Sequence, residues 1–169
     1  MISKVISGGQ TGAQRAGLDV AIRHCLPHGG WCPKGRRAED GPLASHYALH
    51  VASGQFYSRH TEWNVRDSDA TAIVTIGTEL VGDSLRTLQI ARKLGKPYVH
   101  IARLTSSDAA FLLQVFVVQN RVNVLNIAGS RESEEPGVYD FACFVLEGAF
   151  FSSKNIPIRL PDQDRDISV

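Results

Sequence analysis

Residues 4–12 of the chain read Lys-Val-Ile-Ser-Gly-Gly-Gln-Thr-Gly, and this stretch decides the fold. Lys4–Ile6 contains β-branched residues that favour a strand, and it ends in the glycine-rich segment Ser7–Gly12. A helical pattern of apolar residues then begins at Ala13 and is expected to bury Leu18 and Cys25 on one face. A strand, a glycine-rich turn and a helix in this order place backbone N–H groups at a positive helix end. The stretch therefore predicts an anion site.

The residue types in this first turn fit a phosphate ligand. Glycine tolerates positive φ and lets a ligand approach the backbone, and Thr11 can cap the helix or donate its hydroxyl to phosphate. Arg15 adds a cation in the first helical turn, where the helix dipole gives it no stabilisation, so ligand contact explains it better. An ordinary tight turn without a ligand is the alternative. The predicted binding residues here are Gly8, Gly9, Gln10, Thr11, Gly12 and Arg15.

Composition excludes several classes of protein. A chain of 169 residues fits one domain, and a hydrophobic fraction of 43% with a net charge of +1 indicates neither a membrane protein nor a nucleic-acid binder. Three irregularly spaced cysteines make no disulfide framework, so a cytoplasmic location is expected. The spacing of His24, Cys25, His28 and Cys32 does not match structural zinc sites, and we predict no metal site.

A long polar segment follows a strand expected over Leu26–Pro33. Its basic residues Lys34, Arg36 and Arg37 could contact an anionic ligand. Its acidic residues Glu39 and Asp40 could hydrogen-bond a sugar or act as acid and base. A solvated charged loop without a ligand explains the same residues equally well.

Two further strands each end in a turn with glycine and a hydroxyl residue. The uninterrupted run Ala70–Ile76 is typical of a parallel strand buried on both faces, and a second strand is expected over Val122–Ala128. Asn64, Asp67 and Asp69 precede the first of these strands, away from the ligand edge, and are expected to be structural. The candidate binding residues in the two turns are Gly77, Gly82, Ser84, Gly129, Ser130 and Arg131. Glu79 is a third candidate acid or base.

Alternating strands and helices predict an α/β, Rossmann-like, doubly wound and mainly parallel sheet with helices on both faces. In such a sheet the three turns meet at the carboxyl edge, where they can converge on one ligand. We expect one domain over residues 1–151 and a polar C-terminal arm over residues 152–169. The run Phe111–Val118 is more apolar than one helix face requires, which predicts a homo-oligomer.

Four stretches carry a family resemblance: SGGQTGAQRAGLD, HGGWCPKGRRAEDGP, RHTEWNVRDSDATAIV and, after the last strand, NIAGSRES with EPGVY. They resemble the putative molybdenum carrier family, also described as circularly permuted YpsA-like. This family lies within the Rossmann-like superfamily that includes the LOG phosphoribohydrolases. The resemblance covers about Val5 to Leu146 and implies a fold that binds a nucleotide or phosphate ligand. For some relatives it implies the molybdenum cofactor, a pterin that bears a phosphate.

Two departures from the family pattern bear on the site. Relatives commonly have an acidic residue where this chain has Gln14, and Gly-Gly-Thr where it has Gly82-Asp83-Ser84. Asp83 would repel a phosphate in the second turn unless it points away or binds a cation. The sequence therefore favours the first turn as the anion site.

The resulting hypothesis is a binding or carrier protein for a phosphorylated small molecule, with a nucleotide and the molybdenum cofactor as candidate ligands. The alternative is an N-glycosidic hydrolase of nucleotides, by analogy with the LOG branch. The LOG signature Pro-Gly-Gly-x-Gly-Thr-x-x-Glu does not occur in the chain. The acids and bases available to an enzyme are Glu39, Asp40 and Glu79.

Overall fold

The computed structural model describes residues 2–52 and 59–152, along which nine strands and five helices are formed. The strands are β1 (Lys4–Ile6), β2 (His28–Gly29), β3 (Trp31–Cys32), β4 (Arg37–Ala38), β5 (Gly41–Pro42), β6 (His50–Val51), β7 (Ala70–Thr75), β8 (Tyr98–Ala102) and β9 (Val124–Gly129). The helices are α1 (Ala13–Arg23), α2 (His60–Arg66), α3 (Gly82–Lys93), α4 (Ala109–Gln119) and α5 (Val138–Phe150). The polar arm predicted for residues 152–169 lies, apart from Ser152, outside the described residues.

Five strands form one parallel sheet in the order β2-β1-β9-β7-β8. Because all five run in the same direction, the turns that follow them lie at one edge of the sheet. Two small ribbons belong to the polar segment instead: β3 pairs with β6 in parallel, and β4 pairs with β5 antiparallel. These ribbons give the long segment after β2 an ordered backbone.

Helices cover both faces of the sheet, and β7 shows this most directly. All six residues of β7 are buried. Ala70, Ala72 and Val74 belong to one hydrophobic cluster with α1, α4 and α5, while the alternate residues face the other side, where α3 packs. The predicted Rossmann-like, doubly wound architecture is therefore confirmed.

The polar residues at the start of β7 have the structural role expected of them. Asp69 accepts a hydrogen bond from Val124 N at 2.8 Å, which joins the starts of β7 and β9. Asn64 donates to Trp31 O at 2.9 Å and accepts from Trp31 N at 2.8 Å. Asp67 accepts from Trp31 Nε1 at 2.7 Å. These bonds fix α2 and β3 beside the sheet. The expected position of Asn64 away from the ligand edge was wrong, because a Cβ on Gly8 would lie 3.6 Å from Asn64 Nδ2, so α2 reaches the first turn.

Three local expectations were wrong. Helix α1 ends at Arg23, and Cys25 is exposed with φ 53° rather than buried on the helix face. The strand expected over Leu26–Pro33 is split, because Gly30 turns the chain at φ 125° and sends β2 and β3 into different sheets. Helix α2 lies in a stretch whose polarity gave no helical signal. Among the described residues no helix is long and apolar enough to cross a membrane.

Candidate anion-binding cleft

A cleft of about 380 Å³ lies at the carboxyl edge of the sheet, between the first turn, the basic segment and the start of α3. Three arginines, two carboxylates, two carboxamides, one histidine and one threonine hydroxyl supply its polar side-chain groups. Its lining residues are Gly8, Gln10, Gln14, Pro33, Arg37, Ala38, Glu39, His60, Thr61, Asp83, Arg86 and Arg131. This is the polar surface on which the first and third turns converge.

The two glutamines of the first turn present hydrogen-bond donors to the cleft. Gln10 Oε1 accepts from Thr11 N at 3.1 Å and from Glu39 N at 2.8 Å. Gln14 Oε1 accepts from Gln10 N at 3.3 Å. Because backbone N–H groups occupy both carbonyl oxygens, the NH₂ groups are the polar ends that remain for a ligand.

Glu39 joins the first turn to the third. Thr11 Oγ1 donates to one oxygen of its carboxylate, and Ser133 Oγ donates to the other at 2.6 Å. Partial burial raises the pKa of Glu39, but the hydrogen bonds from Ser133 and Thr11 outweigh it and lower the pKa below its usual value. Glu39 is therefore held as a carboxylate whose lone pairs are already engaged.

Asp83 does not act as an unpaired anion in the cleft. Its Oδ2 accepts a hydrogen bond from Arg131 Nη2 at 2.6 Å. This bond is the main reason that the pKa of Arg131 is raised. The Nε of Arg131 is buried and has no hydrogen-bond partner within residues 2–52 and 59–152. Asp83 thus binds a cation, which is one of the two conditions under which the sequence allowed it near a phosphate.

Arg15 and Asp40 neutralise each other beside the cleft. The Arg15 guanidinium donates both Nη groups to the Asp40 carboxylate at 3.0 Å and its Nε to Gly9 O at 3.0 Å. The hydrogen bonds from Arg15 lower the pKa of Asp40. Neither side chain is among those that line the cleft. Arg15 therefore stabilises the turn and the segment over it, and its charge is already balanced.

The three predicted cations of the basic segment have three different environments. Arg36 donates to the backbone carbonyls of four loop residues, at 2.7–3.2 Å, and so organises the segment around itself. Arg37 lines the cleft, whereas Lys34 is exposed and lies outside the lining set. A charge test of this segment must therefore use Arg37, since loss of Arg36 would disturb the loop backbone.

The second turn is occupied by a carboxylate of the chain itself. Glu135 accepts from Ile76 N at 2.8 Å and from Gly77 N at 2.7 Å. Burial raises the pKa of Glu135, but these two backbone hydrogen bonds outweigh it and lower the pKa. The N–H of Gly77 is therefore hydrogen-bonded to Glu135, so the second turn does not offer this donor to a ligand.

Other residues predicted around the second turn also lie outside the cleft lining. Ser84 is buried, and its Oγ accepts from Val81 N at 3.2 Å and donates to Val81 O at 2.6 Å, which caps α3. Gly82 begins α3 with φ 52°, and Glu79 is exposed. The candidate binding residue Ser84 therefore serves the helix cap.

In the third turn only Arg131 reaches the cleft. Gly129 ends β9 at φ 147°, and Ser130 is buried with its carbonyl accepting from Ala13 N at 3.2 Å. A Cβ on Gly12 would lie 2.8 Å from Glu132 N, so the first and third turns are in close backbone contact. These residues hold the first and third turns together, and they do not line the cleft.

Several lining residues were not singled out as binding residues from the sequence. They are Gln14, Pro33, Ala38, His60, Thr61 and Arg86. Arg86 lies three residues after Asp83 on α3, so helical spacing could have indicated that both face the same side. His60 and Thr61 begin α2, a helix that gave no signal in the sequence.

The Glu135 contact predicts a pH dependence of stability. A folded-state pKa below the ordinary value of about 4.3 stabilises the fold above that pH, and the stabilisation is lost as pH falls through the folded-state pKa. We expect the unfolding free energy to fall between about pH 5 and pH 3, and less steeply in Glu135→Gln. Glu79→Gln, an exposed control, should keep the wild-type slope. Equal slopes for Glu135→Gln and wild type in urea unfolding series would contradict the assignment.

Comparisons with known proteins agree with this architecture. A family model described as the circularly permutated YpsA SLOG family matches residues 5–150. A crystal structure of a putative molybdenum carrier protein from Syntrophus aciditrophicus SB has a TM-score of 0.83 and 45% sequence identity to this chain. That alignment covers 88% of this chain and 95% of the other. No curated protein matches the chain at a significant level.

The family model extends over nearly all of the parallel sheet and its helices. The solved relative shares both the fold and close to half of the aligned residues. The resemblance inferred from the motifs is confirmed, and the chain belongs to the circularly permuted YpsA family of the SLOG proteins.

Proposed function

We propose that this protein binds and carries a phosphorylated small molecule of the nucleotide or pterin-phosphate type in the cleft. One observation carries the proposal: the polar groups that line the cleft are predominantly hydrogen-bond donors. The NH₂ groups of Gln10 and Gln14 lie in the same cleft as three arginines, and both of its carboxylates already accept hydrogen bonds from the chain. Phosphate oxygens are acceptors with negative charge, so they match such a surface.

The reason to consider molybdenum is the solved relative, which is described as a putative molybdenum carrier protein. The donor-rich cleft fits the phosphate end of a pterin phosphate, and Gln10, Gln14 and Arg37 would hold that phosphate. A pterin phosphate that carries molybdenum is therefore the specific ligand candidate. Native mass spectrometry of freshly purified protein would show a retained ligand directly as added mass.

The binding test compares phosphorylated probes with their dephosphorylated counterparts. Isothermal titration calorimetry would use adenosine 5′-monophosphate against adenosine, and a pterin phosphate against the same pterin without phosphate. We expect the phosphorylated member of at least one pair to bind more tightly, with an affinity that falls as salt rises. Equal affinities within both pairs would contradict the proposal.

A second candidate function, hydrolysis of an N-glycosidic bond in a nucleotide, is favoured by the carboxylate of Glu39 in the cleft. An ionised carboxylate can stabilise positive charge that develops on a sugar or act as a base. Its engaged lone pairs weaken it as a base, which is why binding is the first choice. Release of free base from a nucleoside 5′-monophosphate, lost in Glu39→Gln, would establish hydrolysis.

The glutamine donors provide a sharp prediction. In Gln14→Glu the oxygen that accepts from Gln10 N is retained, while the NH₂ donor becomes a carboxylate oxygen. We expect adenosine 5′-monophosphate to bind roughly tenfold more weakly, because one hydrogen bond worth about 1.4 kcal/mol becomes a repulsion. Binding of adenosine should not change. A Gln14→Glu variant with unchanged calorimetric affinity for the nucleotide would place the carboxamide outside the site.

A further inference from the structure

Helices α4 and α5 and the turn that precedes α4 expose large apolar side chains, which we call the aromatic patch: Leu104, Phe111, Leu112 and Phe144. Phe144 is 66% exposed and Phe111 is 53% exposed, and Leu104 reaches 72%. Helix α4 has no charged residue along its length, although only its side with Leu113 faces the core. Helix α4 is thus apolar on its outer side too, beyond what the fold requires.

The two phenylalanines of the patch lie on helices that touch each other. A Cβ on Gly148 of α5 would lie 2.8 Å from Ala110 Cβ of α4, so the two helices cross in close contact. Phe111 directly follows Ala110, and Phe144 lies one helical turn before Gly148. Both rings therefore flank the same helix crossing.

A pocket of about 410 Å³ opens beside this crossing and is lined partly by Phe144. Arg103 and Asp140, two residues of opposite charge, also line it. Neither Arg103 nor Asp140 forms an ion pair within residues 2–52 and 59–152. The surface thus combines exposed aromatic rings, a cavity that could hold one, and a charge of each sign at its rim.

We propose that the aromatic patch is the interface of a two-fold symmetric homodimer. A two-fold axis brings the same surface of two copies together, so the surface must complement itself. This one does: an exposed aromatic ring of one copy can enter the pocket of the other, and Arg103 of each copy meets Asp140 of its mate. The charge pair argues for a second copy, since an apolar partner would leave both charges without a counterion.

The first test is the mass of the full-length protein by size-exclusion chromatography with light scattering, at roughly 50 µM. We expect wild type at twice the monomer mass and Phe144→Ser at the monomer mass. Because Phe144 is largely exposed, this variant should keep its fold, which circular dichroism would verify. Val81→Ser, which removes a 61% exposed side chain elsewhere, should remain dimeric. A monomeric wild type, or a dimeric Phe144→Ser, would overturn the proposal.

The second test uses the two charges and separates a contact between copies from one within a copy. Arg103→Asp and Asp140→Arg should each weaken the dimer at least tenfold, since each homodimer then opposes like charges. Mixing the two variants should restore the dimer, because every contact in the mixed dimer joins opposite charges. Failure of the mixture to associate, when both single variants are monomeric and folded, would overturn the pairing.

Discussion

Arg131→Ala is expected to weaken binding of adenosine 5′-monophosphate by roughly 100-fold. The substitution removes one charged donor from the cleft, and it also leaves the carboxylate of Asp83 without its partner at 2.6 Å. A hydrogen bond to a charged group contributes about 1.5–3 kcal/mol, and about 1.4 kcal/mol corresponds to a factor of ten in affinity. Loss of attraction and gain of repulsion thus act in the same direction. Calorimetric titration of the nucleotide into both proteins measures the effect.

Asp83→Asn is the matched control for Arg131→Ala. It removes the negative charge but keeps a side chain of similar size, so the cleft gains one unit of net positive charge. We expect the nucleotide to bind more tightly, by about tenfold, with a steeper dependence on salt. If both substitutions weakened binding equally, the pair would matter only for the structure of the cleft. The ligand would then not contact Arg131.

The largest expected effect on stability comes from Gly129→Ala at the end of β9. Gly129 has φ 147°, and a Cβ there would lie far inside the contact distance of Val74 O and 2.8 Å from Ala13 Cβ. Neither neighbour can move easily, because Val74 lies in the interior strand β7 and Ala13 begins α1. We expect a loss of at least about 4 kcal/mol of unfolding free energy, a large part of the roughly 5–15 kcal/mol that stabilises a typical domain.

Gly137→Ala provides the comparison for Gly129→Ala. Gly137 also has positive φ, at 89°, but a Cβ there would meet no atom within 4 Å. Only the backbone strain remains, so the expected loss is about 1–2 kcal/mol. Urea unfolding of both variants separates strain from steric overlap. Equal losses would show that the close approach of β9, β7 and α1 is not what requires glycine at residue 129.

Glutamates of the chain itself occupy backbone N–H groups that could otherwise bind an anion. Glu135 fills the second turn, and Glu132 accepts from Gly137 N at 2.6 Å and Tyr139 N at 3.0 Å at the start of α5. Backbone donors at these positions are therefore satisfied before any ligand arrives. This leaves the cleft beside the first turn as the place where donors remain.

The sequence by itself determined the architecture. Local patterns of glycine and apolar residues encode the strand Lys4–Ile6 with its glycine-rich turn and the apolar run of β7. Local patterns persist in the fold because helix and strand periodicity depend on neighbouring residues. The parallel order of the strands then places all three turns at one edge, so the location of the candidate site also followed from the sequence.

Only the tertiary structure decided which side chains reach the cleft. Arg36 and Arg37 are adjacent and equally charged, yet one holds loop carbonyls and the other lines the cleft. The N–H of Gly77 donates to the carboxylate of Glu135, 58 residues away in sequence. The carboxylate of Asp83 is paired with Arg131, 48 residues away. Hydrogen bonds require an approach to about 3 Å, and residues this far apart in sequence meet only once the strands are aligned. Local sequence patterns carry no information about such distances, so the partner of each charge is set by the folded chain.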